Sequence, residues 1–538
     1  MATSINKSEQ SKRTDSTQDF GIDAAKSTMQ YTLSKLYASL MSFILILFLA
    51  RSLGVSNFGL YTVLFSFYVI LGIAGSFGIG TAFRNKLGDK KSFNEILVTG
   101  YSLAIIFGVA VSIIGILLSS YMASLYPAAL ALHPNLAFLF ELTSLIVLVF
   151  VLNNITLSAL VAINKTKHAS IVNVLFSSAQ IASIVILVLL GYNVFGAMLG
   201  MLIGILVGFF IGIIFLLKQT KLKLVSPTVQ ALKNLISYSF PIMVSNIAVL
   251  GASSFSVIYL GTYVTPFILG NYSASFRIAR IVETLILSTT FVMVPILSNM
   301  FRSNDIKHKI NSIFNSALYY MLLFLIPFLV YAISSATPLS RLLFSHQYIL
   351  AHSYLQIMLL GFGLFSITNF STALLVSHGD TKSFMLYQLL VIFIEFLLLF
   401  LITPLFKTIG VLVLLFFIMP LVSNAVFLKV LSDRFSVKLE RKIVLMVLPS
   451  ILLFSVLYLL SFAMHNSYYV LIANLALTIV LYPILLVKFR LLTQKNISFM
   501  RQIESKLPMV GIFLGPILRY AELWIKPASE SAQQSVQK

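Results

Sequence analysis

The sequence predicts an all-α integral membrane protein of about fourteen transmembrane helices, and three observations carry that reading. Apolar stretches of about twenty residues recur at even spacing between residues 27 and 489, each long enough as a helix to cross a ~30 Å hydrocarbon core. Hydrophobic residues make up 59% of the chain and charged residues 10%, well outside the range of soluble domains. Lysine and arginine then alternate from loop to loop: thirty-one of the 37 fall on one side of the predicted membrane and three on the other. That asymmetry places both termini in the cytoplasm, which an even number of spans satisfies.

In order, the predicted spans are 27–50, 58–83, 96–120, 138–163, 169–190, 195–217, 233–260, 267–299, 312–335, 352–378, 383–403, 409–431, 442–464 and 467–489. The preceding segment, 1–26, is polar and lacks the apolar core of a signal peptide, so the first span is expected to be retained. Basic residues cluster at 84–95, 164–168, 218–233, 301–311, 429–442 and from Lys488 onward, while Arg51, Arg341 and Lys407 occupy the alternate loops. The net charge of +21 is therefore a property of the cytoplasmic face, drawn to anionic headgroups, and not a nucleic-acid footprint. With no cysteine the chain has no disulfide framework, thiolate metal site or thiol nucleophile. No metal or other cofactor is expected. In the tail, 490–538, residues 508–525 with Pro516, Arg519, Glu522 and the sole tryptophan, Trp524, fit a helix lying at the interface.

The chain also repeats internally. Val55-Ser56-Asn57-Phe58-Gly59-Leu60-Tyr61 follows the first span, and Val264-Thr265-Pro266-Phe267 with Gly270-Asn271-Tyr272 follows the seventh. Ala159-Leu160 with Thr166-Lys167 likewise corresponds to Ala373-Leu374 with Thr381-Lys382. Offsets of roughly 210 residues in both pairs favour a duplicated six-helix unit: bundles at 27–217 and 233–431, a cytoplasmic linker at 218–232, and two appended helices within 432–489. Because six is even, the halves share one orientation, related by a pseudo-two-fold along the membrane normal, as in transporters that rock two bundles about a central site.

The run Leu49-Ala50-Arg51-Ser52-Leu53-Gly54-Val55-Ser56-Asn57-Phe58-Gly59-Leu60-Tyr61, followed by Gly75-Ser76-Phe77-Gly78-Ile79-Gly80 and Arg84, resembles the opening of polysaccharide and O-antigen flippases. These belong to the multidrug/oligosaccharidyl-lipid/polysaccharide exporter superfamily. The resemblance spans about 27–489, its opening motif being the part specific to the polysaccharide branch. It implies movement of an isoprenoid-(pyro)phosphate-linked oligosaccharide from the cytoplasmic to the outer leaflet by alternating access, in a prokaryotic plasma membrane. It implies as partners the lipid-linked substrate, membrane lipids, a coupling H+ or Na+, and enzymes of glycan assembly.

Such a substrate carries a phosphate, a hydrophilic glycan and a lipid tail. Fixed cations at membrane depth would offset the desolvation of the phosphate, and intramembrane charges are functional candidates by default. The cations within spans are Lys35, Arg277 and Arg280. Lys35 shares a helical stripe with Tyr31, Ser34 and Ser42, although it lies near enough to the cytoplasmic boundary to snorkel to headgroups. Arg277, Arg280 and Glu283 form a second stripe; Arg280 can pair with Glu283, as a structural ion pair or as part of a phosphate clamp suited to arginine's planar fork. Glu283 and Glu395 are the intramembrane carboxylates available for ion coupling. The amides Asn153, Asn154 and Asn246 sit mid-span in early helices of each half and are the favoured sugar contacts. Asn173, Gln180, Asn369, Gln388 and Asn424 are assigned chiefly to helix packing. Gly196, Gly200, Gly204, Gly208 and Gly212 form a four-residue ladder that predicts a tight helix interface, and Pro241, Pro295, Pro327 and Pro420 permit kinks.

Other function classes fit less well. No G-x-x-x-x-G-K-[ST] motif is present, so the chain does not bind ATP in the P-loop manner. A cation-coupled drug antiporter of the same superfamily would use acidic residues in the first six helices, where this chain has no deeply placed Asp or Glu. A membrane glycosyltransferase would need outer-loop carboxylates, yet all seven aspartates fall on the predicted cytoplasmic side.

Overall fold

A computed structural model describes residues 2–86, 93–220, 225–247, 251–301, 310–378, 381–406, 408, 410–464, 468–494, 496–498, 500–501, 515, 518–520 and 522. Within them the chain is helical, and every predicted span falls on helix. The first compact unit, Met1–Gly270, holds α1 (Ala2–Ser76), α2 (Ile79–Lys86), α3 (Phe93–Ser124), α4 (Pro127–Leu132), α5 (Leu136–Ala162), α6 (Thr166–Leu187), α7 (Asn193–Gln219), α8 (Val229–Asn246) and α9 (Ala252–Gly261). α10 (Pro266–Phe301) begins in this unit and runs into the second. The second, Asn271–Lys538, continues with α11 (Ile310–Ser334), α12 (Ala336–Phe344), α13 (Ala351–Ser377), α14 (Thr381–Phe406), α15 (Gly410–Phe435), α16 (Arg441–Leu445), α17 (Val447–Ala463) and α18 (Tyr469–Lys488).

Among the described residues ten helical runs are long and apolar enough to cross a membrane. Two of them are double. The run Met29–Ser76 is broken at Gly54, whose φ of 74° and ψ of 169° only glycine adopts without strain. The run Thr166–Gln219 turns back through a π-helical segment, Val188–Tyr192, with Gly191 at φ 91°. Sequence periodicity gave no warning of the helical N-terminal segment ahead of the first span, because its residues are mostly polar. Nor did it predict the short helices α4 and α12. They occupy the same relative place, after the third and the ninth predicted spans.

The glycine ladder of α7 seats on α6 in register. A Cβ added at Gly200 would lie 2.6 Å from the Ile184 backbone nitrogen; added at Gly204 it would meet the Gln180 backbone, and at Gly208 the Phe176 side chain. The partners step back by four as the glycines step forward by four, which is what two antiparallel helices in backbone contact require. A related contact joins the two copies of the repeated motif. A Cβ at Gly59 would strike the Pro266 carbonyl oxygen, and one at Gly270 would strike the Val55 carbonyl oxygen. Each glycine thus points a Cα–H at the carbonyl four residues before the other glycine, a reciprocal C–H···O crossing.

In the second unit α13 meets α15 in the same way, Gly361 against the Phe416 carbonyl. The appended helices dock through a buried polar knot. Asn474 Nδ2 donates to Ser335 Oγ and Ser461 Oγ, each at 2.9 Å, and Ser461 Oγ donates to the Ser334 carbonyl at 3.0 Å. Beyond α18 the chain folds onto α11: Tyr319 Oη donates to the Leu491 carbonyl at 2.7 Å and Asn496 Nδ2 donates to Tyr320 Oη at 3.2 Å. Most of the predicted interfacial helix at 508–525 lies outside the described residues. Its described part includes buried Leu518 and Glu522, which accepts from Arg501 Nε at 2.7 Å.

Two predictions follow the packing. Gly204→Leu is expected to destabilise the fold by about 1–3 kcal/mol, the usual effect of overpacking, read as a lowered Tm in detergent; an unchanged Tm would show that the ladder is not a tight interface. The second concerns acid. The hydrogen bonds of Arg501, with its charge and that of Arg519, hold the Glu522 carboxyl below the usual carboxylate range. Tail docking stabilised by that pair is therefore complete at neutral pH and is lost as pH falls below about 4.5 through the lowered value. Fluorescence of the sole tryptophan, Trp524, should report the release, and Arg501→Ala should shift its midpoint upward.

Candidate functional site

The charges at membrane depth are set by how their helices pack. In α1, Ser34 is 4% exposed and its carbonyl accepts from Asn173 Nδ2 of α6 at 3.1 Å. Tyr37 Oη lies 2.8 Å from Ser178 Oγ on the same helix. These contacts turn the Ser34 edge of the stripe onto α6 and leave Lys35 and Ser42 on an exposed edge. Lys35 Nζ sits 5.2 Å from the Tyr31 ring centroid, near enough for a cation–π contact. The predicted stripe is thus divided between packing and exposure.

In α10, Arg277 is half-buried. Arg280 Nε donates to Glu283 Oε2 at 3.0 Å, the side chains being 51% and 23% exposed, and its guanidinium lies 5.9 Å from the Phe276 ring centroid. The pairing expected from spacing alone is present. Arg280 is therefore charge-compensated in this state. Glu395 is half-buried in α14, and buried Tyr272 of α10 lies within electrostatic reach of it.

The favoured amides separate. Asn153 is 3% exposed, at the α5–α7 interface, where a Cβ on Gly208 would lie 3.2 Å from its Oδ1. That oxygen has no hydrogen-bond partner. Asn154 is half-buried and turns to the opposite neighbour, its Oδ1 3.1 Å from where a Gly80 Cβ would be. Asn246 is half-buried at the last position of α8. Asn153 and Asn154 thus share α5 but face different neighbours. Asn369 and Asn424 hydrogen-bond within their helix and its neighbour: Asn369 Nδ2 donates to the Phe365 carbonyl at 3.1 Å, and Asn424 accepts from Thr368 Oγ1 at 2.7 Å and donates to the Leu364 carbonyl at 2.9 Å. The Arg84 side chain lies outside the described residues, as does Lys407.

Two features escaped sequence reasoning. A cavity of about 270 Å³ between α3 and α8 is lined by Glu95, Thr99, Thr228, Gln230 and Asn234, among others, and Thr228 Oγ1 donates to Glu95 Oε1 at 2.5 Å. Its residues come from segments 130 positions apart, which no local pattern connects. The other is the aromatic row Phe255, Tyr259 and Tyr263 on α9 and the turn after it. The spacing of four was visible in the sequence, but hydropathy alone absorbed these rings into an apolar span. Among the described residues no group of three His, Asp or Glu is placed to hold a metal.

The half-exposed Arg280–Glu283 pair is expected to contribute about 0.2–1 kcal/mol to stability. A double-mutant cycle of Arg280→Ala and Glu283→Ala, read by thermal unfolding, should return a coupling in that range. A coupling of several kcal/mol would identify a desolvated structural pair instead.

A family model described as polysaccharide biosynthesis protein matches residues 24–301, just over half of the chain. A search of curated sequences finds no match. Among solved structures, the fold resembles that of the lipid II flippase MurJ in an inward closed conformation, at TM-score 0.70 and 18% identity, over 86% of this chain and 99% of that one. It also resembles an inward-facing multidrug resistance MATE family transporter of the MOP superfamily, at TM-score 0.58 and 15% identity, over 73% of this chain and 94% of that one. The helical architecture, the opening motif and the family match agree: the chain is a multi-pass membrane protein belonging to the polysaccharide biosynthesis protein family.

Proposed function

We propose that this protein is a flippase. It carries a lipid-linked oligosaccharide, on an isoprenoid phosphate or diphosphate, from the cytoplasmic to the outer leaflet by alternating access. The observation that carries the reading is the polysaccharide biosynthesis match over 24–301 on a chain built of membrane helices. A biosynthetic role for such a fold is the movement of a precursor across the bilayer rather than catalysis on it. The fold it shares with a structure named as a lipid II flippase supports a substrate of the same three-part kind.

The cations supply the matching chemistry. Exposed Lys35 and half-buried Arg277 lie on separate helices within the predicted spans, where each would neutralise phosphate charge at low dielectric. Arg280, tethered to Glu283, would exchange its carboxylate for the phosphate as the headgroup enters. Glu283 and Glu395 are then the groups that take up H+ or Na+ when the anion leaves. Asn153, Asn154 and Asn246 are the neutral donors and acceptors for sugar hydroxyls. The fourteen-span, two-bundle plan with both termini cytoplasmic is supported by the charge asymmetry of the loops, by the reciprocal Gly59–Gly270 crossing, and by the matched positions of α4 and α12. It implies that enzymes building the glycan act on the cytoplasmic side and those extending or attaching it act outside.

In liposomes with a fluorescent lipid-diphosphate oligosaccharide, the native chain should exchange the lipid between leaflets. Arg277→Ala and Lys35→Ala should each slow exchange at least about tenfold, equivalent to roughly 1.4 kcal/mol, with unchanged elution and Tm. Glu395→Gln should abolish acceleration by an imposed proton or sodium gradient. Failure to move any anionic lipid-linked sugar, with uptake of a cationic dye under an ion gradient, would reassign the chain to the antiporter branch.

A further inference from the structure

α8 and α9 come from one predicted span, 233–260, but the protein holds them very differently. Six of the ten residues of α9 are buried. Its Ile258 carbonyl accepts a hydrogen bond from Tyr126 Oη at 2.8 Å, and a Cβ on Gly261 would lie 2.9 Å from the Tyr126 ring. Of the eighteen residues of α8, only Leu235 and Ser239 are buried. Leu235 lines the cavity toward α3. The Ser239 carbonyl meets Gly78, just ahead of α2, where an added Cβ would lie 2.7 Å away. One end of the span is anchored, and the other touches its neighbours at few points.

Those points differ in kind. At Ser239 backbone approaches backbone, two residues from Pro241, which interrupts the helical hydrogen-bond ladder. At the start of α8, Thr228 Oγ1 donates to Glu95 Oε1 of α3 at 2.5 Å and accepts from the Ala231 amide at 3.2 Å. One hydroxyl thus caps the helix and ties it to α3, so the tie can part while the cap stays and α8 keeps its helical start. Thr228 is exposed and Glu95 half-buried, so water can replace each partner when they separate. Behind the tie lies the cavity of about 270 Å³, with Ile96 and Thr99 on one wall and Ala231 and Leu235 on the other. A seam already parted by a cavity has little packed surface to lose on opening.

We propose that the first part of α8 is a swinging arm, pivoting where Ser239 meets Gly78 and latched at its tip by Thr228 to Glu95; it rests on the flippase reading only for what passes when the latch opens. From Val229 to Ser239 is about 15 Å of helix, so a swing of about 20° carries the tip about 5 Å. That movement widens the existing cavity into a gap between α3 and α8. In the two-bundle plan proposed above, α3 belongs to the first bundle and α8 to the second, and both begin on the side proposed to be cytoplasmic. The latch then closes the cytoplasmic side of the seam, while Tyr126 holds α9 at the other end of the span. Release of Glu95 admits the headgroup of the lipid-linked glycan, and re-formation of the bond shuts the seam behind it.

The chain has no cysteine, so pairs of cysteines can be placed at will in the full protein. Spin labels at Val229→Cys and Lys167→Cys, both exposed, read the tip of α8 against the start of α6 by pulsed-dipolar EPR in nanodiscs. Labels at Leu132→Cys and Thr265→Cys, also exposed, read the α9 end of the span as a control. Glu95→Ala should displace a population of the tip pair by about 5 Å and leave the control pair unchanged. Thr228→Asp, which keeps a capping side chain but repels Glu95, should do the same. A tip distribution that neither variant moves, or equal changes in both pairs, would overturn the arm. The second measurement joins Glu95→Cys to Thr228→Cys with a short bifunctional methanethiosulfonate reagent. The bridge should slow leaflet exchange of a lipid-diphosphate oligosaccharide at least about tenfold, with recovery on reduction. Exchange that a complete bridge does not slow would overturn the latch as a gate while leaving the flippase intact. A parent that moves no lipid would remove the flippase reading, and the tip distances would then decide the arm alone.

Discussion

A bilayer offers the backbone no hydrogen bonds, and most of this structure follows from that. Each amide and carbonyl in the hydrocarbon must find its partner within the protein, and a helix satisfies its own, which is the solution this chain uses. Polar side chains inside them are disciplined in the same way. Thr143, Ser144, Thr156, Ser177, Ser371 and Ser377 each donate to the carbonyl four residues back, which hides the hydroxyl without breaking the ladder. At two changes of direction, Gly54 and Gly191, glycine takes backbone angles that other residues avoid.

Because lipid is as apolar as leucine, burying leucine does not hold two membrane helices together. Close approach and a few polar bonds do. The α6–α7 pair relies chiefly on approach, with Gly200 and Gly204 resting on backbone. The α11–α17–α18 group uses polarity, with Asn474 bridging two serines. The second solution leaves a cost, since Asn474 Oδ1 is buried without a hydrogen-bond partner. Asn153 Oδ1 shows the same imbalance beside the glycine ladder, and it is this that distinguishes Asn153 from Asn424, whose amide is satisfied on both sides.

The fold was legible because span length and hydropathy are local properties, and the bilayer makes them decisive. The span boundaries therefore matched the helices to within a few residues at most ends; Thr381–Phe406, for instance, overruns 383–403 by only two and three. The site was legible in part. A charge in an apolar run advertises itself, as Lys35 and Arg277 do, and the three-residue step from Arg280 to Glu283 announced their ion pair. Which face a residue presents is harder, because it depends on the neighbour. Ser34 and Lys35 are adjacent, yet one packs on α6 and the other does not. The rings of α9 were missed for a related reason: tyrosine counts toward hydropathy whether it meets lipid, protein or water.

The crossing of Gly59 and Gly270 has a consequence for how the sequence can change. In an ordinary core, a bulkier residue on one side can be accommodated by a smaller one opposite. Here the obstacle to a new Cβ at either position is a carbonyl oxygen, which every amino acid carries. No substitution at Val55 or Pro266 removes it. A lesion at either glycine has no second-site suppressor among its contact partners, and relief would require the two backbones themselves to move apart. The two positions are thus fixed by the same backbone approach, so a shift that relieves one relieves the other.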